Sequence, residues 1–261
     1  MKLAKQMMAK PWGRDDIAAA FGAPAGERIG EIWYGSGGEP LPLLVKWLFT
    51  SERLSIQVHP SDAQAKSRGL PSGKEECWYI ASAEPGAVLG IGTKQPMSAE
   101  ELRAAALSGE IERLMDWKSV QAGDYFYVPA GTIHAIGPGI TLVEVQQYAD
   151  VTYRLYDYGR PRELHLEDAV AVASAQPYTD ARSGRASGNM LLAQSPHLRM
   201  WLIQDEVGLA MLPGDTALWL TPLSGSVTVG RESGGVGDCL YAAAGCQIDC
   251  DSQTRLLVAA I

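Results

Sequence analysis

Histidine and cysteine are both scarce in this chain, four of each among 261 residues. Cys77, Cys239, Cys246 and Cys250 are too few and too scattered for a disulfide framework, and with no secretion signal they are expected to stay reduced. Cys246 and Cys250 fall four apart in a predicted strand. At ~3.3 Å per residue their Cα atoms are roughly 13 Å apart, beyond the reach of a disulfide. Small buried thiols are the expected role of all four. Positive charge is also in deficit: 22 Lys and Arg against 30 Asp and Glu give a net charge of −8. That balance excludes an extended nucleic-acid-binding face, which needs basic residues to neutralise phosphates. A local basic pocket for a small anion remains possible. No apolar run is long enough to span a bilayer, and the opening MKLAKQMMAKPWGRDD lacks a hydrophobic core before a small-residue cleavage site. No membrane partner is expected, and a cytoplasmic location follows as the default. Apolar residues make up 46%, ordinary for a chain that buries a real core as one large β domain or two small ones.

Two of the histidines, His165 and His197, have no ligand-type residue in a recognisable pattern beside them, and surface or capping roles are expected. The other two sit in organised stretches. In the alternating run Leu54, Ile56, Val58, the period of two sends Gln57 and His59 to one face of a predicted strand. Glu76 stands just before the apolar run Cys77 to Ile80, which reads as the next strand, and Lys74, two residues earlier, shares its face if the segment is extended. His134 closes GDYFYVPAGTIH, a strand and turn punctuated by Gly and Pro. Gln57, His59, Glu76 and His134 are therefore candidate metal ligands. An amide oxygen, two imidazoles and a carboxylate suit a borderline divalent ion such as Zn²⁺, and equally leave Fe, Mn and Co open.

Further along, TLVEVQQY alternates so that Leu142, Glu144 and Gln146 share a face. A carboxylate among apolar neighbours so close to a ligand strand is expected either to orient a ligand or to transfer a proton. Arg154, among tyrosines, suits aromatic stacking and anion binding about equally. Lys46, inside the apolar run LPLLVKWLFT, is expected to reach an edge or to pair with a buried acid. Asp15 to Phe21 predicts a short helix stopped by Gly22. Ser98 with Glu101 forms a capping box that opens a helical stretch over about 98–117, expected to cover one end of a barrel.

The spacing Gly123, five residues, Pro129, one residue, Gly131, two residues, His134 matches the second cupin motif. With IQVHP, GKEECWY and PAGTIHAIGPGITLVEVQQYADVTYRLYDYGR, and with Lys10 to Gly13, Gly30 to Trp33 and Pro42 to Lys46, the chain resembles the short bacterial form of the class I mannose-6-phosphate isomerases. The resemblance covers roughly the first two-thirds of the sequence. It implies a mainly β protein with jelly-roll barrels, one Zn²⁺ per chain, and interconversion of mannose 6-phosphate and fructose 6-phosphate through an enediolate. It selects Glu76 over Glu75 as the ligand. It also points to Lys74, Glu144 and Arg154 for catalysis, and to Trp12, Lys74, Arg154 and Arg160 for substrate. The family keeps Lys near the position of Arg160, and arginine does not release protons near neutral pH, so Arg160 is expected to bind rather than to shuttle. A non-catalytic sugar-binding or regulatory cupin, or another metal-dependent cupin enzyme acting on a sugar phosphate, is the alternative.

A repeat completes the architecture. Gly237-Asp238, Leu240-Tyr241, Ala243 and Gly245 reproduce the spacing of Gly123-Asp124, Phe126-Tyr127, Pro129 and Gly131, with Ile248 in the place of His134. The expected organisation is a metal-binding cupin domain over 1–163, followed over 164–261 by a linker helix and a second barrel that has lost its metal ligand. The sequence does not choose between a monomer and a homodimer.

Overall fold

The computed structural model describes every residue except Ala18 and Glu39. The chain opens with strands β1 (Ala4–Arg14), β2 (Ile29–Gly35), β3 (Leu43–Phe49) and β4 (Ile56–Val58), then helix α1 (Asp62–Lys66). Next come β5 (Glu76–Ala83), β6 (Val88–Thr93), helices α2 (Ala99–Ser108) and α3 (Ile111–Leu114), and β7 (Met115–Ser119). Strands β8 (Asp124–Val128), β9 (His134–Ile136), β10 (Ile140–Gln147) and β11 (Tyr153–Tyr156) precede helix α4 (Leu166–Val172) and the short β12 (Gly184–Arg185). The remainder holds β13 (Met190–Gln194), β14 (Arg199–Ile203), α5 (Glu206–Leu209), β15 (Leu218–Ser224), β16 (Ser226–Val229), β17 (Glu232–Gly235), β18 (Leu240–Ala242), β19 (Ile248–Cys250) and β20 (Arg255–Ala260).

The strands form four antiparallel sheets stacked in two sandwiches. A seven-stranded sheet, ordered β1-β2-β3-β10-β5-β8-β12, faces a five-stranded sheet ordered β11-β4-β9-β6-β7. Leu48, Trp78, Ile80, Phe126 and Leu142 from the first sheet meet Leu89, Ile91 and Ile136 from the second. The opposite face of the large sheet, with Val45, Trp47, Phe49, Tyr79 and Val143, packs on Leu192, Met200, Leu202, Trp219 and Leu257 of the C-terminal half. Both faces of β3 are thus covered, which explains why Leu43 to Phe49 are apolar and buried almost without interruption. The C-terminal sandwich pairs a sheet ordered β13-β14-β20-β15-β18 with one ordered β17-β16-β19, and its interior is apolar.

The fold departs from the sequence pattern in several places. Asp15 to Phe21 does not form an α-helix; a single 3₁₀ turn spans Ala19–Phe21, and Ala18 lies outside the described residues. Phe21 is instead inserted edge-on against Trp47 and Phe49, with ring centroids 5.0 and 4.9 Å away, so tertiary packing overrides local propensity. The N-terminal segment pairs along β2 as an edge strand, where Pro11 is tolerated because no neighbour needs its missing N–H. Helices α2 and α3 do not cap a barrel end. They lie with α4 on the outer face of the second sheet, over Ile56, Val58, Ile133 and Leu155, and the chain re-enters a strand at Met115. All four thiols are unpaired, but only Cys77 and Cys239 are buried; Cys246 is exposed and Cys250 is half-buried.

Candidate metal centre

Sheet register builds the site. In the second sheet Arg154, Gln57, His134 and Ile91 form one row across β11, β4, β9 and β6. In the first sheet Gln146 stands opposite Glu76 across β10 and β5, and the next row carries Trp33, Lys46, Glu144 and Trp78. The two rows face each other inside the sandwich, so its interior is apolar at one end and polar at the other. His59 follows directly on β4, and its carbonyl accepts from the Gly131 amide at 2.8 Å. That bond docks the turn before His134 onto the strand carrying the first histidine. Gly131 sits at φ +85°, a conformation that favours glycine.

His59, Glu76 and His134 are all buried, and each offers a ligand atom within 4.8 Å of the others. His59 Nδ1 lies 2.8 Å from the Val151 carbonyl oxygen and His134 Nδ1 2.9 Å from that of Thr132. A carbonyl can only accept, so both rings carry their proton on Nδ1 and turn the Nε2 lone pair to the centre. His59 Nε2 is 3.2 Å from Glu76 Oε1, and His134 Nε2 is 3.8 Å from Glu76 Oε2. Gln57 places its amide nitrogen 3.3 Å from His134 Nε2, while its Oε1 accepts from Ser55 at 3.0 Å. To offer oxygen as a ligand the amide must turn over, after which its NH₂ could donate to Ser55. Glu76 Oε1 is buried without a hydrogen bond of good geometry, although Lys74 Nζ lies 2.8 Å away. Two imidazole lone pairs and an under-coordinated carboxylate oxygen, all converging, fit a divalent cation.

Electrostatics agree with that donor set. Burial, and then the Lys74 ammonium, push His59 down to about 3, so its lone pair is free at ordinary pH. Burial likewise lowers His134. Burial works against a charged Glu76, but the Lys74 ammonium outweighs it and holds the carboxyl well below its usual range. Burial, then the charge of Glu76, raise Glu144. Although burial favours a neutral amine, Glu144 and Glu31 keep Lys46 protonated.

Lys46 pairs with the buried acid Glu144 at 2.9 Å and lies 4.6 Å from the centre of the Trp33 ring. Trp78 Nε1 donates to both Glu76 Oε2 (3.0 Å) and Glu144 Oε2 (3.1 Å), tying the two carboxylates together. Glu144 is therefore held one residue back from the cluster, whereas Lys74 touches it, 3.3 Å from His59 Nε2. Trp12, Gln57, Lys74, Glu144 and Arg154 all line one cavity beside the cluster. Arg160 does not. Its guanidinium is tied to Asp157 and to the Arg53 carbonyl, both at 2.7 Å, and Arg162 lines the cavity in its stead. Arg154 has a buried Nε without a partner, and burial together with Arg162 lowers its pKa. The sequence reading missed Trp78, Lys10 and Arg162. Arg162 was legible only as a second arginine two residues beyond Arg160.

Fold and site together define a double β-sandwich protein with a buried His/Glu/His cluster able to hold a metal ion. No family model matches the chain. It is 38% identical over 216 residues to the mannose-6-phosphate isomerase of Streptococcus mutans, spanning 77% of this chain and 67% of that protein. It is 44% identical over 142 residues to mannose-6-phosphate isomerase ManA of Bacillus subtilis, which covers 52% of this chain and 45% of ManA. The crystal structure of a mannose 6-phosphate isomerase from Bacillus subtilis superposes with a TM-score of 0.82 at 26% identity, over 100% of this chain and 99% of that one. The phosphomannose isomerase of Salmonella typhimurium shares the fold, with a TM-score of 0.72 at 15% identity over 99% and 98% of the two chains. The chain belongs to the mannose-6-phosphate isomerase family.

Proposed function

We propose that the protein isomerises mannose 6-phosphate to fructose 6-phosphate and back, with one Zn²⁺ held by Gln57, His59, Glu76 and His134. The observation that carries this reading is the convergence of two Nε2 lone pairs and the Glu76 carboxylate beside a cavity rimmed by cations. A bound dication would supply Lewis-acid polarisation of the oxygens on C1 and C2.

The rest falls to the chain. Moving a carbonyl between adjacent carbons requires a proton to leave one carbon and return to the other, with negative charge accumulating on oxygen in between. Lys74 is the cation in contact with the cluster, suited to hold or pass a proton at those oxygens. Glu144, fixed by Lys46 and Trp78, aligns Glu76 through the shared indole N–H. Arg154, which lines the cavity with Arg162 and has a buried Nε without a hydrogen-bond partner, suits an anion: the enediolate or the phosphate. Trp12 offers an apolar wall for the sugar. Arg160 braces Asp157, which in turn holds Arg162 at 2.6 Å. Residues 1–163 hold the chemistry in this reading and residues 164–261 support it. A phosphorylated sugar as substrate also supports a cytoplasmic location; no helix among the described residues is long and apolar enough to cross a membrane.

A coupled assay for fructose 6-phosphate formed from mannose 6-phosphate, before and after chelation, tests the proposal. Turnover that is abolished by chelation and restored by zinc is expected. Turnover indifferent to a stripping chelator would refute the metal's part, and a zinc-loaded protein without turnover would refute the isomerase reading.

A further inference from the structure

Glu75 and Glu76 are adjacent acids, and the two-residue period of an extended chain sends them to opposite faces. A slip of one residue would exchange them and present Glu75 to His59 and His134. Either carboxylate could serve chemically, so the register must be selected elsewhere. On the far face the Tyr127 hydroxyl donates to Glu75 Oε2 at 2.5 Å, and Ser195 Oγ donates to Oε1. Ser195 belongs to the turn joining β13 to β14 in the C-terminal half, where its Oγ also accepts from the amides of His197 and Leu198 at 3.0 and 3.1 Å. The Glu75 amide donates to Gln147 Oε1 at 3.0 Å. Gln147 Nε2 reaches Asp62 Oδ1 at 3.0 Å, the same oxygen accepts from the Gly73 amide at 2.7 Å, and His197 Nε2 lies 3.6 Å from Asp62 Oδ2. This closure requires glycine, since a Cβ on Gly73 would meet the Asp62 backbone nitrogen at 2.5 Å.

Resting on the ligand set put forward above, we propose that the Ser195 turn is a positioning element for the site. By anchoring Glu75 in the interface between the halves, Ser195 and Tyr127 fix the register of residues 73–76, and so aim Lys74 and Glu76 at the two histidines. The degenerate half acts on the centre through Glu75, although no residue beyond Arg162 lines the cavity.

The test uses the full-length protein as the Ser195→Ala/Tyr127→Phe double variant, with Ser195→Thr to retain the hydroxyl. Tyr34→Phe is the control: it removes another buried bond between the halves, Tyr34 hydroxyl to Gly237 carbonyl at 2.6 Å, remote from Glu75. Zinc affinity is read by competition with a chromophoric chelator, and amide hydrogen exchange of residues 73–78 is read without metal. The double variant is expected to bind zinc roughly tenfold more weakly and to exchange faster across 73–78. Ser195→Thr should stay near the parent, and Tyr34→Phe should lower only the melting temperature. Ser195→Ala alone, with the same direction at smaller size, serves if the double variant does not fold. A double variant whose zinc affinity and exchange match those of Tyr34→Phe overturns the proposal. A parent protein that took up no zinc would remove the ligand reading, while the metal-free exchange would still decide whether these hydroxyls set the register.

Discussion

The two halves use the same turn and put different side chains on it. Gly123 and Gly237 adopt φ +91° and +87°, and Gly131 and Gly245 adopt +85° and +76°. Asp124 Oδ2 accepts from the Gln121 amide at 2.8 Å, and Asp238 Oδ2 from the Gly235 amide at 3.1 Å. The Thr132 amide reaches the Pro129 carbonyl and the Cys246 amide the Ala243 carbonyl, both at 3.1 Å. β9 then opens on His134, opposite Gln57, whereas β19 opens on Ile248, opposite Val229. One interior is lined at one end by Lys46, Glu76 and Glu144; the other is closed by Leu220, Val227, Val229, Leu240 and Val258. The backbone device thus survives without a ligand to deliver. What makes the first half a site is the set of polar side chains facing the turn, together with the partners that orient them.

The largest effect is expected from His134→Ala, which should make the first half resemble the second. Zinc affinity is expected to fall by more than about a hundredfold, since loss of an orienting partner alone costs 10–100-fold, and isomerase activity should go with it; metal analysis after dialysis checks this. Glu144→Gln attacks the polar interior instead, leaving Lys46 buried without its charge partner. A loss of about 3 kcal/mol in urea unfolding is expected, and a change below about 1 kcal/mol would mean that Gln146 and Glu31 suffice to hold the ammonium. Trp78→Phe removes the N–H that joins Glu76 to Glu144 and puts a smaller ring in a fully buried position. Zinc binding should weaken about tenfold by chelator competition, and calorimetry should show a lower melting temperature from the lost packing. Smallest of all, Ile248→His restores the missing histidine to the second turn and should add no second equivalent of zinc, because the interior it faces is apolar and burial pushes the nearby Cys250 thiol up to about 11. A stoichiometry of two by mass spectrometry under native conditions would show that the turn alone makes a site.

Much of this arrangement is written locally in the sequence. The period of two puts Gln57 and His59 together, the PAGTIH spacing announces the turn, and the Gly-Asp repeat reveals the second half. The likeness to a known family chose Glu76, a choice that the local pattern left open; physically, its parity depends on Tyr127 and Ser195, far away in the chain. The same non-locality hid Trp78, whose role comes from lying beside Glu144 across the sheet, and exchanged Arg160 for Arg162, because Asp157 grips both and only the folded loop decides which faces the cavity. The helix expected at Asp15 to Phe21 failed for a related reason: its local pattern was sound, but Phe21 gains more by filling a gap between Trp47 and Phe49.

The most direct measurement is anomalous diffraction at the zinc edge from crystals grown with one equivalent of the metal. A single peak per chain is expected, about 2.0–2.2 Å from His59 Nε2, His134 Nε2 and a Glu76 oxygen, with the Gln57 amide turned to present its oxygen. A peak lying elsewhere in the chain, or none between these side chains at full zinc loading, would contradict it.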